Sequence, residues 1–184
     1  MANEGPSRIR EIPPEQLTAP QKAAIEAVIG GRGRIPGPYK IWLHSPIMMQ
    51  RLERLGTFLV NESSLKPREQ ELAILAIARH WHGNFVFTVH SRVAREQGVP
   101  DGVIEDIGAG RMPDLADPRE AAVVEIALTA PDADPASDAV FARAIAALGE
   151  EGLADLLVYL GYYSTVAMAM KLHRVPVPQR AEPG

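Results

Sequence analysis

Apolar side chains recur every three or four positions along most of the chain, which places them on one face of an α-helix. In residues 48–59, a methionine and three leucines keep this spacing behind Ser45-Pro46. This pair fits a helix N-cap followed by proline at the first helical position. No segment of useful length alternates with a period of two, the pattern of a half-buried strand. The pattern therefore predicts an all-α fold.

The same spacing, together with glycine and proline positions, predicts where the other helices lie. We expect helices over residues 21–29, from 67, over 85–97, from 101 through 107, and over 118–128, 135–148 and 152–172. A glycine-rich stretch, Gly30-Gly31-Arg32-Gly33, is expected to end the first of these helices. Pro36-Gly37-Pro38 is expected to continue it as a connecting loop. The stretch lacks the Lys-Ser/Thr of a phosphate-binding P-loop.

Composition excludes several classes of protein. The 184 residues include no cysteine, which removes disulfides, thiolate metal sites and thiol redox chemistry. The net charge is −4 and the basic residues are scattered, so no nucleic-acid partner is expected. The polar, proline-rich first twenty residues do not resemble a signal peptide. Residues 156–170 are apolar but interrupted by Gly161, Ser164 and Thr165, which predicts a buried helix and no membrane partner. We expect a soluble, cytoplasmic protein.

Glu71 is the unusual residue of the helix that starts at Pro67, because its surroundings are apolar around the whole helix circumference. A carboxylate is rarely buried without a partner. Glu71 is therefore either a first-turn glutamate stabilised by the helix dipole or a member of a polar pocket.

His90 lies on the next predicted helix, and positions 71 and 90 are equidistant from 80.5. A chain reversal near Gly83 would bring the two side chains to similar heights on antiparallel helices. A carboxylate facing an imidazole forms a general acid/base pair that works near neutral pH. The alternative is a core histidine bonded to a backbone carbonyl.

Other candidates surround this pair. His82 is expected beside His90, and Val86 and Phe87 are expected to form an apolar wall. Tyr39, Trp42 and His44 are candidates for another pocket wall or for an ordinary packed loop. His80 and His82 point about 200° apart on a helix, so a metal site is not expected.

One internal echo is visible. Pro67-Arg68-Glu69 and Pro118-Arg119-Glu120 both begin alanine-rich apolar helices. A duplication and a chance similarity are the two alternative explanations of this repeat.

The chain resembles the carboxymuconolactone decarboxylase and alkyl hydroperoxidase D superfamily. Residues 65–75 read LKPREQELAIL, His90 follows, and residues 94–99 read AREQGV. Residues 39–46 (YKIWLHSP), 161–163 and 175–178 are similar to the longer, decarboxylase-like members. The resemblance implies an oligomeric all-α bundle, often a trimer or hexamer. It covers residues 38–180, which we expect to form one helical domain. Residues 1–37 are expected to form an N-terminal extension and loop with a short helix, and residues 181–184 a flexible tail.

The resemblance matches Glu71 and His90 to the glutamate and histidine of the peroxidase branch. The cysteines of that branch fall on Gly83 and Val86, so thiol peroxidase activity is excluded. The decarboxylase-like branch commonly has Tyr-Glu-Trp before the histidine, whereas this chain has Phe85-Val86-Phe87.

These observations predict a cofactor-independent enzyme acting on a small organic acid, lactone or enolisable carbonyl compound. The resemblance favours decarboxylation or isomerisation, with His90 as general acid or base and Glu71 as its partner. The alternatives are a non-catalytic, oligomeric ligand-binding or scaffold protein and, more weakly, a metal-assisted hydrolase or lyase using His80, His82 or His90.

Overall fold

The computed structural model describes residues 5–33, 35–132 and 134–177, and this part of the chain is helical without any β-strand. The predicted all-α class is therefore confirmed. After a short 3₁₀ turn at Pro14–Gln16, the helices are α1 (Ala19–Arg32), α2 (Gly37–Trp42), α3 (Pro46–Asn61), α4 (Pro67–His80), α5 (Asn84–Glu96), α6 (Asp101–Ala109), α7 (Pro118–Thr129) and α8 (Asp138–Leu172).

Helix α4 lies at the centre of the fold. Every residue from Glu69 to Ala78 is buried, and α5, α6, α7 and α8 pack around it. Over residues 72–78 this burial follows from a sequence that is apolar on all sides of the helix. The chain then reverses within residues 81–83, where His82 adopts a φ of 51°, and α5 runs back along α4.

The N-terminal part of the chain differs from its prediction. Helix α1 passes through Gly30 and ends at Gly33, whose positive φ of 67° lets its N–H reach the carbonyl of Ile29. The expected loop at Pro36-Gly37-Pro38 instead begins α2, because Pro36 takes the N-cap position and Pro38 lies in the first turn. Helix α5 begins at Asn84, one residue before its predicted start, and Gly83 is its N-cap.

The segment before α1 lies against the helices. The N–H of Arg8 donates to the carbonyl of His173, and Lys40 pairs with Glu11. Within α1, Ala24 and Val28 are buried in the same core as α3.

Helix α8 combines two predicted helices. Gly149 interrupts it with a φ of 72° and a ψ of 177°. By length and composition α8 is apolar enough to cross a membrane, a test that core helices also pass. It packs against α4, α5 and α7, and its largest buried side chain, Tyr159, is 1% exposed. These contacts are those of a core helix.

The internal echo extends beyond the two Pro-Arg-Glu motifs. A shift of 51 positions, which joins the motifs, also carries Arg92 onto Arg143 and Gly98 onto Gly149. Both glycines have a positive φ, 79° and 72°, at the end of a helical segment. We call residues 67–98 the first helical unit and residues 118–149 the second.

The motifs pair crosswise between the two units. Nε and Nη2 of Arg119 donate to the two carboxylate oxygens of Glu69 at 2.9 and 3.1 Å. Nε of Arg68 lies 2.7 Å from Oε1 of Glu120. Each arginine also donates to a carbonyl near the end of its own unit, Gly98 for Arg68 and Ala147 for Arg119. This reciprocity favours duplication over chance as the origin of the echo.

Candidate active site

The α4–α5 hairpin brings Glu71 and His90 into direct contact. Because α5 runs back along α4 after a three-residue reversal, positions equally distant from that reversal meet. The Nδ1 atom of His90 lies 2.8 Å from Oε2 of Glu71. Glu71 is therefore a buried, paired carboxylate, not a solvated residue of the first helical turn.

This contact fixes the roles of the two imidazole nitrogens. A carboxylate oxygen only accepts hydrogen bonds, so Nδ1 of His90 carries the proton that it shares with Glu71. Nε2 is then the nitrogen that accepts a proton when the ring is neutral and returns it when the ring is charged. Glu71 is 8% exposed, so its charge acts on His90 with little screening by solvent.

His90 lines a cavity of about 470 Å³ between α2, α3, α5 and α8. This volume lies within the range of small-molecule sites. Apart from His90, the lining consists of apolar, aromatic, glycine and proline residues: Pro36, Gly37, Pro38, Tyr39, Trp42, Gly56, Val60, Phe85, Val86, Val89, Val93, Tyr162, Tyr163 and Val166. Glu71 lies behind His90 and is not part of this lining.

Aromatic rings dominate the wall. The chain has ten Phe, Trp and Tyr residues, and five of them line this cavity. Tyr163 meets His90 edge to face, with ring centres 5.3 Å apart and planes at 87°. Edge-to-face packing of this kind fixes the orientation of a ring. Tyr163 therefore helps to hold the imidazole in place.

Two tyrosine pairs support the wall. Tyr159 stacks on Tyr163 with ring centres 5.1 Å apart, and burial raises the pKa of the Tyr159 hydroxyl, so it stays protonated at physiological pH. The hydroxyls of Tyr39 and Tyr162 lie 3.2 Å apart and share a hydrogen bond. Trp42 packs edge to face against both of these rings. All four tyrosines of the chain thus meet at one site.

The structure brings together most, but not all, of the side chains that the sequence suggested. Glu71 and His90 meet, and Tyr39, Trp42 and Val86 line the cavity. The catalytic roles of Glu71 and His90 remain predictions.

Three proposed pocket residues lie elsewhere. His82 and Phe87 line a separate pocket of about 150 Å³ beside Gly108. Phe87 points about 200° away from Phe85 around α5, so it faces away from the cavity that Phe85 and Val86 line. His44 is exposed and its Nε2 lies 2.9 Å from the carbonyl oxygen of Arg10.

The tyrosines of α8 were not among the site residues predicted from the sequence. Tyr159, Tyr162 and Tyr163 are three of the four tyrosines in the chain and lie within five residues of one apolar helix. That concentration of hydroxyl groups in a buried helix is the signal that identifies them, because buried tyrosine hydroxyls require partners.

The described residues include no cluster of three or more histidine or acidic side chains that could hold a metal ion. His80, a candidate ligand of the metal hypothesis, packs against Trp81 with ring centres 5.2 Å apart.

The sequence model of the Carboxymuconolactone decarboxylase family matches residues 46–129. This match confirms the resemblance over α3 to α7, the segment that holds Glu71 and His90. No curated protein matches the chain significantly. The aromatic wall formed by Tyr39, Trp42, Tyr162 and Tyr163 lies outside the matched residues.

Proposed function

From the family match over residues 46–129, we propose that this protein is a cofactor-independent acid/base enzyme for a small lactone, organic acid or enolisable carbonyl compound. The observation that carries the proposal is the 2.8 Å contact between Glu71 and His90 at the wall of an apolar cavity. The reaction class is proton transfer to or from carbon, as in an isomerisation or a decarboxylation.

His90 is the proposed catalytic residue. Its Nε2 removes a proton from a carbon next to the carbonyl group, and the electron pair of that C–H bond moves onto the carbonyl oxygen as an enolate forms. When the substrate carries a β,γ double bond the enolate is conjugated, and the imidazolium returns the proton to the γ-carbon, which completes an isomerisation. In a decarboxylation it protonates the carbanion left by carbon dioxide.

Glu71 is the proposed positioning residue. Its carboxylate holds the Nδ1 proton of His90 and balances the positive charge that the ring acquires when Nε2 takes a proton. The pair thus passes through a neutral ion pair rather than an isolated buried cation, which is the costlier state. The apolar wall keeps water away from the proton during transfer.

The proposal is tested by screening ketones, lactones and keto acids for thermal stabilisation of the protein and then analysing each mixture for products. We expect a product to form from at least one stabilising compound. His90→Ala should reduce its formation by about 10²- to 10⁴-fold while the protein stays folded. Unchanged turnover by this variant would contradict the assignment.

A second candidate function is a non-catalytic ligand-binding or scaffold protein with the same fold. The observation that favours it is Phe85-Val86-Phe87, which stands where decarboxylase-like members of the resembled superfamily commonly carry a glutamate. Stabilisation by ligands without product formation across all three compound classes would select this function over the enzyme.

The family resemblance also leads us to propose a homo-oligomer, a trimer or hexamer, in the cytoplasm. Light scattering coupled to gel filtration measures the mass of the assembly. A monomeric mass near 20 kDa would exclude the proposed trimer or hexamer.

A further inference from the structure

The charge of the cavity wall restricts the molecule that it accepts. None of the described residues that line the cavity is a lysine, arginine, aspartate or glutamate. His90 is thus the one basic side chain among the described lining residues. Its partner Glu71 carries the opposite charge 2.8 Å away.

The net charge of this pair is negative or zero. With a neutral imidazole the pair carries one negative charge, and with an imidazolium the charges cancel. A bound carboxylate therefore finds no uncompensated positive charge among the described lining residues. An unpaired carboxylate loses much of its hydration on entering such a site, so its binding is weakened.

The shape and chemistry of the wall favour a ring. Tyr39, Trp42, Phe85, Tyr162 and Tyr163 contribute aromatic surfaces, and the valines between them are apolar. Rings stack on such surfaces or pack edge to face. A volume of about 470 Å³ accommodates a molecule with one or two rings.

The family match covers one part of the site and not the other. Glu71 and His90 lie within the family match, whereas Tyr39, Trp42, Tyr162 and Tyr163 come from flanking segments outside it. The match thus includes the residues proposed for proton transfer. It leaves out most of the aromatic surface that a ligand would contact.

We propose that the substrate of this site is an uncharged, ring-containing ketone or lactone rather than a carboxylate-bearing acid. This inference rests on the proposed function only in calling the ligand a substrate. What it states physically is that the cavity binds uncharged ring compounds in preference to carboxylates. It narrows the reaction to enolisation or isomerisation, because a decarboxylation requires a carboxylate in the cavity.

The test compares three probes that share one skeleton and differ in charge: phenylacetone, phenylacetate and phenylacetamidinium. Each has a phenyl ring, one methylene group and a trigonal carbon with two small substituents. Trp42 lines the cavity and Trp81, the other tryptophan, does not, so quenching of tryptophan fluorescence reports binding. Trp42→Phe is the matched control, because it should abolish the ligand-dependent part of the signal and keep that of Trp81.

We expect phenylacetone to bind at least about tenfold more tightly than phenylacetate. Phenylacetone should also bind more tightly than phenylacetamidinium, because Glu71 lies behind His90 and no described lining residue is a carboxylate that could pair with the cation. Tyr163→Leu should weaken the binding of phenylacetone more than Tyr163→Phe does. Equal or tighter binding of phenylacetate would overturn the inference. Tightest binding of phenylacetamidinium would also overturn it and would identify an aromatic cage for cations. A failure of phenylacetone to bind would overturn it as well.

The outcome for binding is separable from the outcome for catalysis. Preference for phenylacetone without any proton transfer would refute the proposed enzyme and leave the binding inference standing. Proton transfer to carbon in an acidic substrate, with phenylacetate bound best, would refute the inference and leave the enzyme standing. His90→Ala should keep the preference for the uncharged probe, since its removal adds no positive charge.

Discussion

The two helical units of this protein share a frame but differ at one site. Both begin with Pro-Arg-Glu, both end at a glycine of positive φ, and their arginines and glutamates pair crosswise. At the positions of Glu71 and His90, however, the second unit carries Ala122 and Phe141. The comparison separates residues that build the helical frame from residues that are available for chemistry.

The surroundings of the two positions differ as well. His90 is covered by α2, α3 and the tyrosines of α8, which together form the cavity. Phe141 is 53% exposed. The Glu71–His90 contact therefore occurs in the unit whose second helix is enclosed, where low polarity strengthens the effect of a nearby charge.

The largest expected effect follows from giving the first unit the residue of the second. His90→Phe should reduce turnover of any substrate found by screening by about 10²- to 10⁴-fold, because the group that accepts the proton is gone. Initial rates under identical conditions measure the change.

The matched control for this variant is Phe141→His, which places an imidazole at the corresponding position of the second unit. We expect its turnover to equal that of the wild type. A loss of activity in both variants, or in Phe141→His alone, would contradict the difference between the units.

The crosswise ion pairs are expected to contribute unequally to stability. The side chain of Glu69 is 1% exposed and that of Glu120 is 12% exposed. Glu69→Gln should lower the free energy of unfolding by about 2–3 kcal/mol, because it leaves Arg119 without its charge partner. Glu120→Gln should cost about 1 kcal/mol. Urea denaturation measures both, and equal losses would show that the two pairs are energetically equivalent.

Glu71→Gln tests the partner of His90 by removing its charge while nearly keeping its shape. The amide oxygen still accepts a hydrogen bond from Nδ1 but no longer balances the charge of an imidazolium. We expect kcat to fall about 10- to 100-fold with little change in KM, because the charge matters in the transition state rather than in binding. A rise in KM alone would indicate that Glu71 only shapes the cavity.

The last expected effects concern the two glycines that end the helical units. Gly149 has a ψ of 177° as well as a positive φ, a conformation almost confined to glycine. Gly149→Ala should destabilise the protein by about 1–3 kcal/mol. Gly98→Ala should cost about 1 kcal/mol. Thermal unfolding of both variants checks the order, and a larger cost at Gly98 would reverse it.

Much of the helical frame is readable from sequence because it depends on local rules. The apolar spacing and the proline positions identify α3 to α7, and Gly83 marks the reversal that brings Glu71 to His90. Helix α2 was not predicted, because Pro36-Gly37-Pro38 resembles a loop, although proline is also favoured in a first helical turn.

The cavity wall was harder to predict because it depends on packing between distant segments. Tyr39 and Tyr162 meet through their hydroxyls although 123 positions separate them. No periodic pattern encodes such a contact. His82 was placed beside His90 from its position in the turn alone, and its backbone, with a φ of 51°, belongs to a reversal that lines another pocket.

We propose that His90, held by Glu71, transfers protons to and from carbon in a molecule bound within the aromatic cavity. Incorporation of solvent deuterium into the methylene group of phenylacetone, followed by proton NMR, measures that step directly. We expect exchange well above the rate in buffer for the wild type and near that rate for His90→Phe. Equal exchange rates for the two proteins, with phenylacetone shown to be bound, would contradict it.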